Sequence, residues 1–210
     1  YCARANAYAE LIKCFCEAYD PNAAEPQMGV ALDSTYFGAK PTKRSTLKES
    51  YDFVIRDLKK AEELLDEEND WYTSPYATEA SAHVLRARVA LYMQDWPTAI
   101  EYSTKVIENK AFALSTSDVY QTGSDVIPGG TRYYTYFDYM WTHDLATEII
   151  WQVGFTTTSY GGALGQVFLN FNNDYVNVYP DYMPSEWVIG LYGSSDVRRT
   201  AYFRTLQTGY

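Results

Sequence analysis

Residues 78–108, TEASAHVLRARVALYMQDWPTAIEYSTKVIE, constrain this chain most, because they predict two amphipathic helices joined by a turn too short to let them separate. Ala82, Leu85, Val89 and Tyr92 recur at the spacing of one helical face. The turn Gln94-Asp95-Trp96 then leads to Pro97, a residue tolerated only in the first turn of a helix, where its missing N–H costs nothing. A second stripe follows in Ala99, Ile100, Ser103, Val106 and Ile107. Small Ala87, Ala90 and Ala99 stand where two helices must approach closely, and Glu101 with Lys105 reads as an exposed i,i+4 pair.

The hairpin resembles a tetratricopeptide repeat. Asp95, Trp96 and Ala99 occupy the places of that repeat's Asp, aromatic and small residue, whereas Gln94 replaces its usual glycine and the first helix lacks its Trp and Leu-Gly signature. Upstream, Thr46-Leu-Lys-Glu49 has the form of a capping box, and Leu47, Tyr51, Val54, Ile55, Leu58, Ala61 and Leu65 follow at helical spacing. Earlier still, Tyr8, Leu11, Ile12, Phe15 and Tyr19 make another apolar stripe, followed by a loop holding Gly29-Val30-Ala31-Leu32. After the hairpin, Ile149, Trp151, Val153 and Phe155 alternate as in a strand opened by Glu148; Pro184-Ser-Glu-Trp187 and Asp196-Val-Arg-Arg199 lie near the end.

In that order these pieces resemble the middle of a SusD/RagB family protein, the surface glycan-binding lipoproteins of Bacteroidetes-type bacteria. The resemblance spans nearly the whole chain. It implies a mainly α, tetratricopeptide-like scaffold with long irregular loops and minor β structure, and a single SusD-like domain fragment over residues 1–210. The helical repeat part would be residues 1–112 and the loop-rich, ligand-binding part 113–210. It also implies a secretion signal and a lipid-modified cysteine upstream, hence membrane attachment only through a lipid anchor outside this fragment. The implied place is the extracellular face of the outer membrane, and the implied partner a SusC-like TonB-dependent transporter that receives oligosaccharide or polysaccharide.

Charge and cysteines set limits. A formal charge of −10 over 210 residues argues against a polyanionic partner, so no nucleic acid is expected. Cys2, Cys14 and Cys16 are odd in number and lie in one helical segment. Positions 14 and 16 point in different directions on a helix, so buried thiols are expected rather than a disulfide or a metal pair.

Tyrosine supplies 21 residues, many of them in stretches rich in Gly, Asn, Ser and Thr, where a core would prefer Leu and Ile. Rings beside short amides suit a sugar, which offers an apolar C–H face and a rim of hydroxyls. This mixture is densest after Tyr160. Phe171, Asn172, Asp174, Tyr175, Asn177 and Tyr179 are therefore, with Tyr160, the expected carbohydrate-binding residues. Any one of these rings alone is explained by packing on the repeat; the segment as a whole reads as a binding surface. A second patch, Arg132 to Trp141, reads as packing, since Tyr133, Phe137 and Trp141 fall at helical spacing.

The catalytic inventory is thin. His83 and His143 sit in no HExxH or Cys-His pattern, and neither a G-x-S-x-G nor a phosphate-binding loop is present. Glu148, Asp174, Asp181 and Glu186 supply carboxylates, but glycoside hydrolysis depends on a separation that spacing in sequence does not give. The Asn/Asp run lacks the glycine and terminal Glu of an EF-hand loop. Asp196 and Arg198 read as a local cap or ion pair. The expectation is a non-enzyme with no cofactor, metal site or catalytic residue. A helical-repeat adaptor for a protein partner is the alternative, and a glycoside hydrolase a distant third.

Overall fold

In the computed structural model, which describes residues 1–34, 43–66, 70–127, 130–143, 145–154, 158, 169–171, 178–180 and 182–203, the longest helix begins where the capping box places it. This helix, α2 (Leu47–Leu64), is capped by Thr46. Its hydroxyl accepts from the Glu49 N–H at 3.1 Å, while Glu49 Oε2 accepts from the Thr46 N–H at 2.8 Å. Two donors at the start of the helix are thereby satisfied reciprocally. Leu47, Tyr51, Val54, Leu58 and Ala61 are buried, so the periodicity names the core-facing side correctly.

The apolar stripe conceals a carboxylate, Asp57, whose side chain is 2 % exposed. Arg4, on α1 (Cys2–Phe15), grips it through both carboxylate oxygens, Nε to Oδ2 at 2.6 Å and Nη2 to Oδ1 at 2.9 Å. A buried carboxylate requires such a partner. The α1 stripe is corrected by this contact. The helix buries Cys2, Ala5 and Ile12 against α2, with Tyr8, Ala9, Cys16 and Tyr19 packed beside them, and leaves Leu11 and Phe15 exposed. Of the three thiols only Cys2 is buried; Cys14, 200° round the helix from Cys16, faces solvent.

The Gly-Val-x-Leu loop forms β1 (Met28–Ala31), antiparallel to β2 (Arg44–Thr46). Gly29 is required there, because a Cβ would collide with the Ser50 hydroxyl and the Thr46 carbonyl. Ser50, fully buried on α2, accepts from the Val30 N–H at 3.0 Å and donates to Thr46 O at 2.9 Å, tying the loop to the helix.

The hairpin is α3 (Glu79–Tyr92) and α4 (Trp96–Glu108), packed on each other. Asp95 caps α4 by accepting from the Thr98 N–H at 3.3 Å, and Pro97 lies in the first turn. Gln94 has φ +61°, which explains why the related repeat uses glycine at that place. Its side chain donates to Tyr19 O at 3.0 Å and so joins the turn to the segment that follows α1. Ala82, Leu85, Val89, Ala90 and Ala99 are buried between helices. Tyr92 at the end of α3 is not, and neither are Ile100, Ser103 and Ile107, against the expected stripe, because among the described residues no element covers that side of α4.

The chain forms two compact units, Tyr1–Leu114 with Thr147–Gln152, and Ser115–Ala146 with Val153–Tyr210. The core cluster around Ile12, Leu47, Leu58 and Leu85 belongs to the first. In the second, β3 (Val119–Ile127) pairs antiparallel with β4 (Gly130–Thr135), and α5 (Tyr136–His143) follows directly. Tyr133 therefore lies on a strand and not on the helix of Phe137 and Trp141. Thr135 and buried Asp138 start α5 with a reciprocal pair, Asp138 N–H to Thr135 Oγ1 at 3.0 Å and Thr135 N–H to Asp138 Oδ2 at 3.3 Å. The strand expected over 149–153 is not formed. That segment makes only scattered bonds to a loop, Thr73 N–H to Ile149 O at 2.6 Å and Gln152 N–H to Ser74 O at 3.1 Å; Phe155 lies outside the described residues. Short β5 (Leu169–Phe171) and β6 (Val178–Pro180) pair antiparallel, and α6 (Glu186–Gly190) and α7 (Val197–Tyr202) complete the second unit. Long helices over a few two-stranded sheets make the fold mainly α, as expected.

Candidate functional site

Of the seven residues expected to bind carbohydrate, Phe171 lies on β5 and Tyr179 on β6, in a ladder that pairs Asn170 with Tyr179 and Phe171 with Val178. Tyr160, Asn172, Asp174, Tyr175 and Asn177 lie outside the described residues. The backbone thus brings an Asn and a Tyr position side by side on neighbouring strands, within one antiparallel pair.

The Arg132–Trp141 patch is organised by α5. Tyr139 stacks on His143, one turn away, at 3.9 Å and 8° between planes, and buried Tyr134 meets His143 edge-on at 5.4 Å. Phe137, Trp141 and Tyr202 form a second cluster, with Trp141 edge-on to Tyr202 at 5.2 Å. The expected packing therefore exists, and it unites α5 with β4 and α7.

Glu148 is exposed and belongs to the first unit, and Glu186 is exposed in the first turn of α6 in the second, while Asp174 and Asp181 lie outside the described residues. Asp196 caps α7 and pairs with Arg198 at 2.6 Å, the local role expected of it. The Arg198 hydrogen bond holds the Asp196 carboxyl below its ordinary range. His83 lies against Glu79 at 3.6 Å and edge-on to Tyr102 at 5.5 Å, a satisfied helix residue. Among the described residues no group of three or more His, Cys, Asp or Glu side chains could hold a metal, and no helix is long and apolar enough to cross a membrane.

Residue-by-residue reading passed over one feature. Between α2 and α3, a cleft of about 760 Å³ is lined by Leu64, Asp66, Asp70, Trp71, Ser74 and Tyr76 among others. Trp71 and Tyr76 are 66 % and 79 % exposed, and Tyr72 is exposed beside them. The signal was available, since Asn69-Asp-Trp-Tyr-Thr-Ser-Pro-Tyr76 mixes rings with short polar residues much as 160–179 does.

Residues 1–91 match the SusD-like family described as starch-binding, associating with outer membrane. The fold is similar to that of a SusD superfamily protein from Bacteroides thetaiotaomicron, with a TM-score of 0.61 and 20% identity over 78% of this chain and 32% of that one. A SusD superfamily protein from Bacteroides vulgatus gives 0.61 and 20% over 77% of this chain and 33% of its own, and one from Bacteroides fragilis 0.56 and 24% over 75% and 32%. The chain thus spans about a third of the length of these structures. Among curated proteins none matches it significantly. The first 91 residues, holding α1, the Gly29 loop, α2 and nearly all of α3, are thus similar to the SusD-like family, and across three quarters of its length the chain has the fold of SusD superfamily structures.

Proposed function

We propose that this chain is part of a non-catalytic, cell-surface glycan-binding protein that captures oligosaccharide or polysaccharide and delivers it to a SusC-like TonB-dependent transporter. The observation that carries the reading is the match of residues 1–91 to a family described as starch-binding and outer-membrane associated. The two-unit organisation supports it, since a helical unit with a packed core can hold loops in place without itself doing chemistry. The outer face of the outer membrane, with a lipid anchor outside residues 1–210, is the corresponding location. Tyr160, Phe171, Asn172, Asp174, Tyr175, Asn177 and Tyr179 are the proposed sugar contacts. The test is isothermal titration of the protein against starch-derived, xylan-derived and mannan-derived oligosaccharides, with a reducing-end assay on the same mixtures. Saturable binding without release of reducing ends is expected; release that vanishes in Asp174→Asn or Glu148→Gln would overturn the non-enzyme reading.

A contact with a protein partner has one observation in its favour. Trp96, Ile100 and Ile107 lie along one side of α4 and are all more than half exposed, which is costly for apolar side chains unless something covers them. A transporter or an adaptor's target would serve. Charged substitution of Ile100 and Ile107 that leaves the fold intact but abolishes co-purification of a partner would support this use of the face.

A further inference from the structure

The loop between α2 and α3 is held far more firmly than its exposed rings require. The Thr73 backbone sits at φ +63°, its N–H donates to Ile149 O, and its carbonyl accepts from Gln152 Nε2 at 3.4 Å. Ser74, buried, closes the following turn by accepting from the Tyr76 N–H at 3.1 Å and donating to Tyr76 O at 2.8 Å. Asp70 accepts from the Ala80 N–H at 3.0 Å and from Asn109 Nδ2 at 2.7 Å, fixing the loop to α3 and to the end of α4. The backbone is therefore pinned at three places while the large rings of Trp71 and Tyr76 remain mostly in water. Packing does not explain that arrangement, because these rings add little to the core.

The chemistry of the cleft selects a ligand. Among the described residues its lining holds rings, apolar side chains, hydroxyls and the carboxylates of Asp66 and Asp70, and no Lys, Arg or His. Carboxylates in the lining disfavour phosphate and acidic sugars. They accept well from neutral hydroxyls, since each oxygen has lone pairs beyond those already engaged. A flat ring next to an acceptor is what a pyranose requires, its C–H face lying on the ring and its hydroxyls reaching the carboxylate.

We propose that the Trp71–Tyr76 loop is a second sugar subsite, in the helical unit, which takes a neutral oligosaccharide by stacking on Trp71 and Tyr76 and hydrogen bonding to Asp66 and Asp70. The inference rests on the glycan-binding reading, but its residues are separate from those proposed at 160–179. It is tested by affinity electrophoresis of the protein through gels containing amylopectin, xyloglucan or galactomannan. Wild type is compared with Trp71→Ala/Tyr76→Ala, Trp71→Phe and Tyr175→Ala, and Trp71 oxidation is mapped by mass spectrometry with and without maltoheptaose, xyloglucan heptasaccharide or mannohexaose. The double alanine variant should be retarded about fivefold less than wild type by whichever polysaccharide binds, Trp71→Phe should recover most of the loss, and the matching oligosaccharide should slow Trp71 oxidation. If wild type is retarded and the double variant equally so, with Trp71 unprotected, this subsite is wrong while the glycan reading stands. If wild type is retarded by none of the three, both fall. Should the double variant melt early, the oxidation map on wild type decides: unchanged Trp71 oxidation, or protection by a lysine-rich peptide in place of the sugar, overturns the proposal.

Discussion

Asp57 puts a carboxylate among the fully buried side chains of the helical unit, and Arg4 is what makes it tolerable. The guanidinium reaches from a partly exposed position and lies over the Phe53 ring at 5.2 Å, with Arg56 on the same ring at 4.7 Å, so its removal costs both charge and packing. Arg4→Met should destabilise the protein by about 2–4 kcal/mol, somewhat below the cost of breaking a wholly buried pair because Arg4 is partly solvated. Arg4→Met/Asp57→Leu should lose markedly less, since no charge is then stranded. Urea midpoints of the three proteins check this, and equal losses for the single and double variants would refute it. Burial acts on neutral groups as well. The Cys2 thiol is pushed up from 9.0 to about 11 and the Tyr51 phenol from 10.0 to about 12, in both cases chiefly because the charged form is desolvated. Both groups thus favour the neutral form in the fold more than in the unfolded chain. Their contribution is complete below pH 9 and is lost as pH rises from 9 to 11 for Cys2 and from 10 to 12 for Tyr51. Urea midpoints should fall between pH 8.5 and 10.5, and less steeply in Cys2→Ala; a flat profile would mean that these groups are not buried as described.

At the scale of elements, the hairpin and α2 were legible because each carries its own boundary marks. Thr46 with Glu49, and Asp95 with Pro97, fix where the helices begin, and buried Leu58, Leu85 and Ala99 fall on the faces that periodicity names. Ala99 sits against α3, so Ala99→Phe should overpack the hairpin and cost roughly 1–3 kcal/mol. Exposed Glu101, paired with Lys105 at 3.3 Å, should tolerate Glu101→Lys within about 0.5 kcal/mol. Thermal melts of the two variants separate these cases, and equal melting temperatures would argue against a close α3–α4 contact. Other elements were misread for a shared reason: the pattern depends on a partner that the local sequence does not name. In α1, Leu11 and Phe15 look like core, yet Arg4 seeking Asp57 helps rotate the helix so that Cys2 and Ala5 face inward. Alternation from Ile149 suggests a strand, but a ladder requires a second strand and the loop at Thr73–Ser74 offers only isolated acceptors and donors. Ile100 and Ile107 keep helical spacing while lying in water.

For the whole molecule, the sequence pointed to rings and amides at 160–179 and passed over those at 71–76, although composition alone does not distinguish them. What holds the 71–76 loop is not written in its composition, because hydrogen bonds such as Thr73 to Ile149 join residues too far apart in sequence to be read from spacing. Charge constrains both places alike. At −10 the protein repels sulfated and uronic-acid polymers, so neutral glycans should be preferred, and weak binding of an acidic glycan should improve as salt screens the repulsion. Within the proposed 160–179 site, rings and amides should fail in different ways. A ring recovers apolar area from any sugar, so Tyr175→Ala or Tyr179→Ala should each weaken every bound oligosaccharide by about 1–2 kcal/mol with folding unchanged. An amide replaces water at one hydroxyl only. Asn172→Ala or Asn177→Ala should therefore change the order of preference among oligosaccharides that differ at that hydroxyl, leaving others almost untouched, because an unpaired group is costly only where it points into the site. Isothermal titration of the four variants against a panel of epimeric oligosaccharides measures both effects. Uniform losses for all four would mean that they act through the fold, and four unchanged affinities would remove sugar recognition from this loop, leaving the Trp71–Tyr76 cleft as the surface to examine.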